Sequence, residues 1–168
     1  MSYIRTLSTN GILEIRVERQ DKLNALSPDM YRDLCLALGM LDRDPSLRVG
    51  LIIAQGKHFT AGIELDLWAP IFADGGAFPL PADGIDIFAL SGPRCRKPLV
   101  MAIQGYCYTW GVEMMLNTDV RVAADDTRFA MLEVKRGIYP CGGATLRLPE
   151  QMGWANAQRY LLSGAPWD

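Results

Sequence analysis

The chain has 168 residues, 49% of them hydrophobic and 21% charged, enough for one domain with a substantial buried core and against general disorder. Its 17 lysines and arginines against 19 acids leave a net charge of −2 with no long run of one sign, which speaks against a nucleic-acid surface and for a small-molecule substrate. The longest uncharged stretch, Pro98 to Val112, is too short for a membrane helix and is broken by Gln104, Gly105 and Thr109.

In chain order, Tyr3 to Leu7 and Ile12 to Val17 alternate with period two around Thr9-Asn10-Gly11, which predicts an antiparallel hairpin. Met1 to Leu13 holds no apolar run of signal-peptide length, so a cytoplasmic location is expected. Ser27-Pro28-Asp29 offers an N-cap, a proline at the first helical position and an early acid. Met30, Leu34, Leu38 and Leu41 then recur at helical spacing, predicting an amphipathic helix that ends near Asp42 to Pro45. Val49 to Ala54, Pro98 to Gln104 and Val120 to Ala124 are short apolar runs that suit strands buried on both faces. With helices between them, they form right-handed α/β units. Trp68 to Pro93, rich in Pro, Gly, Ala and Asp (Ala73-Asp74-Gly75-Gly76, Pro79-Leu80-Pro81), is expected to be a mobile surface segment able to act as a lid. Pro149 to Leu162 reads as one last helix, stopped by Ser163-Gly164 and Pro166. The four cysteines, Cys35, Cys95, Cys107 and Cys141, fit neither a metal clamp nor a disulfide scaffold and are expected as reduced, mostly buried thiols.

Three segments carry candidate chemistry. Phe59-Thr60-Ala61-Gly62-Ile63-Glu64-Leu65 follows a strand, and its small-residue turn leaves backbone N–H groups at the positive end of a helix, able to stabilise an oxyanion; a helix start that needs small residues for packing has the same sequence. Gly105 to Asp119 repeats the geometry. Thr109-Trp110-Gly111 starts a helix, Glu113 lies one turn above Trp110, and Asn117 is spaced to hold the Glu113 carboxylate. A carboxylate inside an apolar helix is costly unless paired or used, and desolvation would raise its pKa toward the range proton transfer needs. Glu133 precedes the Gly137-Ile138-Tyr139-Pro140 turn and could supply a second carboxylate or, read alone, pair with Lys135 or Arg136. His58 is the only histidine, and no Gly-x-Ser-x-Gly, phosphate loop, dinucleotide fingerprint or metal-ligand set is present.

Taken in order, these segments resemble the crotonase (enoyl-CoA hydratase/isomerase) superfamily over nearly the whole chain. Arg19-Gln20-Asp21-Lys22-Leu23-Asn24-Ala25-Leu26 is similar to its R-P-x-x-x-N-A-L segment, and Phe59 to Leu65 to its F-x-A-G-x-D-L. Lys97-Pro98 through Glu113 is similar to K-P-x-I-A-A-x-x-G-x-A-x-G-G-G-x-E, and Ala123 to Phe129 and Glu133 to Pro140 continue the match. Gln20 stands for the usual proline, Glu64 for aspartate, Thr109-Trp110 for two glycines and Leu132 for a proline. The Trp110 substitution is expected to strain the backbone and reshape the acyl pocket.

The resemblance implies an α/β crotonase-like core of repeated ββα units, a ClpP/crotonase-type spiral. Residues 1–168 form its N-terminal core domain, incomplete at the C-terminus and lacking the helices that build trimers. It implies hydration of a 2-enoyl-CoA, with the Ala61 and Trp110 amides as the oxyanion hole and Glu113 and Glu133 as catalytic acid and base. Lys22, Leu23 and Ala25, with Ala61, Gly62, Ile63 and Glu64, would lie along CoA, which arrives as part of the substrate, so no cofactor or metal is implied. The full-length protein would be a homotrimer or dimer of trimers, binding neither nucleic acid nor membrane. The alternatives are double-bond isomerisation by one glutamate, Glu133 foremost, or a silent acyl-CoA- or RNA-binding relative.

Overall fold

Asn10 and Gly11 both take positive φ, 50° and 81°, as the two central residues of a tight hairpin turn must. They join β1 (Ile4–Thr9) to β2 (Ile12–Val17) in antiparallel register, from Thr9 opposite Ile12 to Ile4 opposite Val17. The chain is described here in a computed structural model that covers residues 2–75 and 77–168. Period-two alternation sends Leu13, Ile15 and Val17 inward, where α1 (Pro28–Arg43) covers them. The Ser27 hydroxyl accepts the Met30 amide at 3.3 Å and Pro28 opens the helix, as the cap predicted from sequence requires. Met30, Leu34, Leu38 and Leu41 line its buried face, each contributing about 2 kcal/mol through area removed from water.

The chain then runs through β3 (Val49–Ala54), α2 (Leu65–Ala73), β4 (Leu99–Ile103), β5 (Tyr106–Tyr108), α3 (Trp110–Met115), β6 (Val120–Ala123), β7 (Arg128–Ala130), α4 (Ala144–Met152) and α5 (Trp154–Ser163). The main sheet has the order β1-β2-β3-β4-β6, parallel from β2 onward, with helical crossovers between β2, β3 and β4. β5 and β7 pair in parallel as a second, small sheet. Where α1 crosses β3 the backbone passes close. A Cβ on Gly50 would stand 2.7 Å from Leu41 Cδ2 and 2.8 Å from Leu99 Cδ2, so any larger residue would make those two leucine tips shift.

Four expectations from sequence need correction. β3 and β4 bury one face fully and the other only in part, and β6, at the sheet edge, leaves Val120 and Val122 at 52% and 59% exposure because no layer among the described residues covers it. Trp68 to Pro93 is not a loose lid: Trp68, Ile85, Asp86, Ile87 and Phe88 are buried, and Gly76 lies outside the described residues, as does Met1 at the N-terminus. The last helix is two helices, broken at Gly153 with φ 82°, and Pro149 lies inside the first of them. The cysteines are free thiols, but only Cys35 and Cys107 are fully buried.

Asp86 explains why the low-complexity stretch is held. Its carboxylate accepts the Tyr31 hydroxyl at 3.1 Å and the amides of Phe88, Leu90 and Ser91 at 3.0, 2.9 and 3.2 Å. Asn117 adds a bond from its Nδ2 to the Ile87 carbonyl at 2.9 Å. Asp86→Ala would orphan several buried donors at once, and a loss of about 2–4 kcal/mol in unfolding free energy is expected from urea titration. A variant as stable as the parent would show that the segment is held by its apolar side chains alone.

Candidate active site

Thr60 and Cys107 form an isolated parallel bridge, in which the Thr60 amide donates to the Tyr106 carbonyl at 2.9 Å and the Tyr108 amide to the Thr60 carbonyl at 3.1 Å. Two turns are thereby laid side by side, Ala61–Glu64 and Thr109–Trp110. They touch so closely that a Cβ on Gly62, at φ 110°, would stand 2.2 Å from Thr109 Oγ1. Glycine is the one residue this contact admits.

Backbone bookkeeping in the first turn corrects the donor expected from sequence. The Ala61 N–H donates to the Leu23 carbonyl at 3.0 Å, Gly62 N–H to Thr60 Oγ1 at 3.0 Å and Glu64 N–H to the Leu26 carbonyl at 3.1 Å. Ala61 therefore has no amide to offer a ligand, because the loop around Leu23 packs onto it. Ile63 N–H, between them, finds no acceptor among the described residues, and neither does Trp110 N–H, the first amide of α3. The free pair is Ile63 and Trp110.

Glu113 is wholly buried one turn into α3. Its Oε1 accepts the Gly142 and Ala144 amides at 2.8 and 3.0 Å, and its Oε2 has no partner. Burial pushes this carboxyl up to about 8, against the pull of the two amides, and the nearby charge of Glu133 adds to the rise. Gly142 must lack a Cβ, which would come within 2.7 Å of Oε2. Asn117 does not hold this carboxylate. α3 ends at Met115, so the four-residue spacing no longer keeps Asn117 on the helix face, and it turns to Ile87 instead.

Glu133 opens a 3-10 turn (Glu133–Arg136) and is 6% exposed, with neither oxygen hydrogen-bonded. It makes no ion pair with Lys135 or Arg136 among the described residues. Burial pushes it up to about 7.

The pocket beside these groups has a volume of about 1030 Å³ and is lined by, among others, Ile63, Phe72, Phe78, Trp110, Glu133 and Cys141. Glu113 is not on its wall but behind it. The backbone strain expected of Trp110 falls on Thr109 instead, at φ 51° and ψ −111°, and Trp110 itself sits in ordinary helix. Its indole packs inward, with ring centroids 4.5 Å from Trp68, 4.8 Å from Phe88 and 5.2 Å from Phe78, and an aromatic block closes the pocket floor.

The loop expected along CoA is brought to the same place. Leu23 and Asn24 take positive φ, and the Asn24 side chain ties it down, accepting the Arg19 amide at 2.7 Å and donating to the Gln55 and His58 carbonyls at 2.9 and 2.8 Å. Leu26 N–H donates to the Gly62 carbonyl at 2.8 Å, and Arg19 pairs with Glu64. Lys22, Leu23 and Ala25 thus flank the turn that holds Gly62, Ile63 and Glu64. His58 accepts the Tyr106 amide at Nδ1 and stacks on that ring at 4.0 Å. Sequence reasoning missed Gly142 and Ala144; a Gly142-Gly143 pair just before a helix was the signal available. Among the described residues no three His, Cys, Asp or Glu side chains gather as a metal site, and no helix is long and apolar enough to cross a membrane.

The sequence profile described as "Enoyl-CoA hydratase/isomerase" matches residues 8–168. "Enoyl-CoA hydratase EchA19" of Mycobacterium tuberculosis is 33% identical over 90% of this chain and 58% of its own length. The peroxisomal "Delta(3,5)-Delta(2,4)-dienoyl-CoA isomerase" of Arabidopsis thaliana is 28% identical over 97% of this chain and 62% of its own. Among solved structures, a probable enoyl-CoA hydratase/isomerase from Mycobacterium abscessus superposes with a TM-score of 0.96 at 37% identity, covering 99% of this chain and 64% of that one. The chain therefore spans less than two thirds of the length of these relatives.

Both carboxyls keep their proton to higher pH in the folded chain than in the unfolded one, where the ordinary value is 4.5. The folded state then binds more protons between that value and about 8, so stability falls as pH rises across this window. Unfolding free energy should drop by up to about 1.4 kcal/mol per pH unit for each carboxyl, and Glu133→Gln should flatten the slope. Denaturation at about pH 5 and about pH 8 measures it; a stability that is level or rising there in the parent chain would refute the buried, neutral carboxyls.

Proposed function

The chain belongs to the enoyl-CoA hydratase/isomerase family, and on that premise we propose that its site adds water across the double bond of a 2-enoyl-CoA. The observation that carries this reading is the pair of buried carboxyls, pushed by desolvation to about 8 and about 7, with the charge of Glu133 adding to the rise at Glu113, beside a pocket with two free backbone donors. Near neutral pH such a pair can hold one proton between them, so one carboxylate can take a proton from water while the other carboxyl gives one to carbon.

The thioester oxygen would rest between the Ile63 and Trp110 amides. As hydroxide adds to C3, electron density moves through C2 onto that oxygen, where two preset N–H dipoles meet it in a site closed by apolar side chains. Protonation of C2 then completes the 3-hydroxyacyl-CoA. CoA enters as part of the substrate, running past Lys22, Leu23 and Ala25 toward Ala61, Gly62, Ile63 and Glu64, so the proposal needs no separate cofactor. A cytoplasmic location goes with it.

One observation favours double-bond isomerisation as a second reading: Glu133 lines the pocket while Glu113 stands behind the wall, an arrangement that suits a single base shuttling a proton. For assembly, we propose a homotrimer or dimer of trimers of the full-length protein. Val120, Val122, Leu146, Trp154 and Leu162, exposed apolar side chains, are what such contacts would cover.

Glu→Gln changes separate the two activities, because they keep shape and remove the ionisable group. In the full-length protein, hydration followed by loss of enoyl-thioester absorbance should fall by about 10²-fold or more in both Glu113→Gln and Glu133→Gln. Turnover intact in Glu113→Gln and abolished in Glu133→Gln would favour the one-base isomerase. Indifference of both variants to every enoyl-CoA offered would end the enzymatic reading.

A further inference from the structure

Thr109 combines three features that each cost stability, and nothing in its surroundings recovers the loss. Its backbone, at φ 51° and ψ −111°, lies where glycine is at ease and a β-branched residue is not. It stands at the N-cap of α3, the position where a threonine hydroxyl ordinarily accepts a helix amide, yet it makes no such bond. Its Oγ1 is shut off from solvent with neither donor nor acceptor in reach among the described residues. Packing alone would be served as well by valine, which has the same shape and no polar atom to orphan.

The conformation is held from both sides. Thr109 N–H donates to the Ala130 carbonyl at 2.8 Å, and its carbonyl accepts the Glu113 amide at 3.0 Å, so the turn cannot relax without disturbing β7 or the helix that carries Glu113. The hydroxyl is thereby pressed against Gly62, in the seam between the two turns whose unpaired amides are Ile63 and Trp110. The residue also lines the pocket. An orphan hydroxyl that the fold keeps in place at this seam lacks one thing, an acceptor arriving from the pocket.

We propose that the Thr109 hydroxyl is a third donor to the thioester oxygen, beside the Ile63 and Trp110 amides, and that it sets how strongly this site polarises that carbonyl. The inference rests on the acyl-CoA reading given above. For this, Oγ1, which rests against Gly62, has to swing about the Cα–Cβ bond to another staggered position on the side of the pocket that Thr109 lines, and the hydroxyl then donates its hydrogen to the oxygen while no covalent bond is made or broken. Preset backbone donors carry the same task at either side, so the hydroxyl strengthens an existing hole rather than building one.

Three variants and a spectroscopic readout test this in the full-length protein. Thr109→Ser keeps the hydroxyl and should retain kcat/KM within about threefold, whereas Thr109→Val keeps the shape and should lose about 10- to 100-fold. Thr109→Gly should lose as much while unfolding at a higher temperature than the parent, since the backbone strain is gone; that split cannot come from a structural role. With butanoyl-CoA carrying a 13C carbonyl, the bound carbonyl stretch should move to lower frequency in the parent and in Thr109→Ser, and less so in Thr109→Val. S-butyl-CoA, which has no carbonyl, should bind the parent and Thr109→Val alike. If the parent turns over enoyl-CoA but Thr109→Val matches it in rate and carbonyl frequency, the third donor is wrong and the hydratase reading stands. If the parent binds no CoA thioester, both fall together.

Discussion

A carboxyl group with no counter-ion can sit in an apolar interior only if it stays neutral or if preset dipoles meet its charge, and Glu113 meets both conditions. Its protonated form is favoured by burial, and the Gly142 and Ala144 amides stand ready for the ionised form. Much of the local structure follows from that compromise. Gly142 must lack a side chain to bring its amide within 2.8 Å, α4 must begin at Ala144 to present a second unpaired N–H, and α3 must be short enough to end before Asn117. Removing either amide would leave the ionised carboxylate with less support than water offers, and the balance between the two protonation states would be lost.

The residues that break local rules gather around the same pocket. Leu23, Asn24 and Thr109 are non-glycine residues at positive φ, Gly62 is a glycine that nothing could replace, and Glu113, Glu133 and Thr109 hold buried polar atoms without partners. In the hairpin and in α1, by contrast, propensity, cap and periodicity agree with the fold. Such clustering is expected where function competes with stability. The aromatic block of Trp68, Phe78, Phe88 and Trp110 gives these strained turns a stiff backing, because close-packed rings cannot shift without opening cavities.

Periodicity and punctuation made the first third of the chain legible. Asn10-Gly11 admits few conformations besides a hairpin turn, and Ser27-Pro28 with leucines at helical spacing specifies where a helix starts and which face it buries. The family resemblance likewise placed both glutamates and Trp110 in one neighbourhood, because those segments are short and keep a fixed order. What failed depended on neighbours distant in sequence. Val120 to Ala124 reads as a buried strand, but burial is decided by what lies over the sheet, and β6 has no such cover among the described residues. Trp68 to Pro93 reads as loose because its composition is poor in periodic apolar residues, yet one buried aspartate hydrogen-bonded to four different residues holds its second half in place.

By itself, then, the sequence determined the fold class and the chain order of the main strands and crossovers, since these follow from local periodicity, whereas only the family resemblance put Glu113 and Glu133 together. Tertiary structure alone decided which amides are free. Whether the Ala61 or the Ile63 amide is left unpaired beside the pocket depends on the Leu23 carbonyl accepting the Ala61 N–H, a contact between loops far apart in the chain. Whether Glu113 is met by Asn117 or by Gly142 and Ala144 depends on where a six-residue helix stops and on which segment folds back over it. Hydrogen-bond partners and desolvation belong to the assembled interior, and no pattern confined to one segment encodes them.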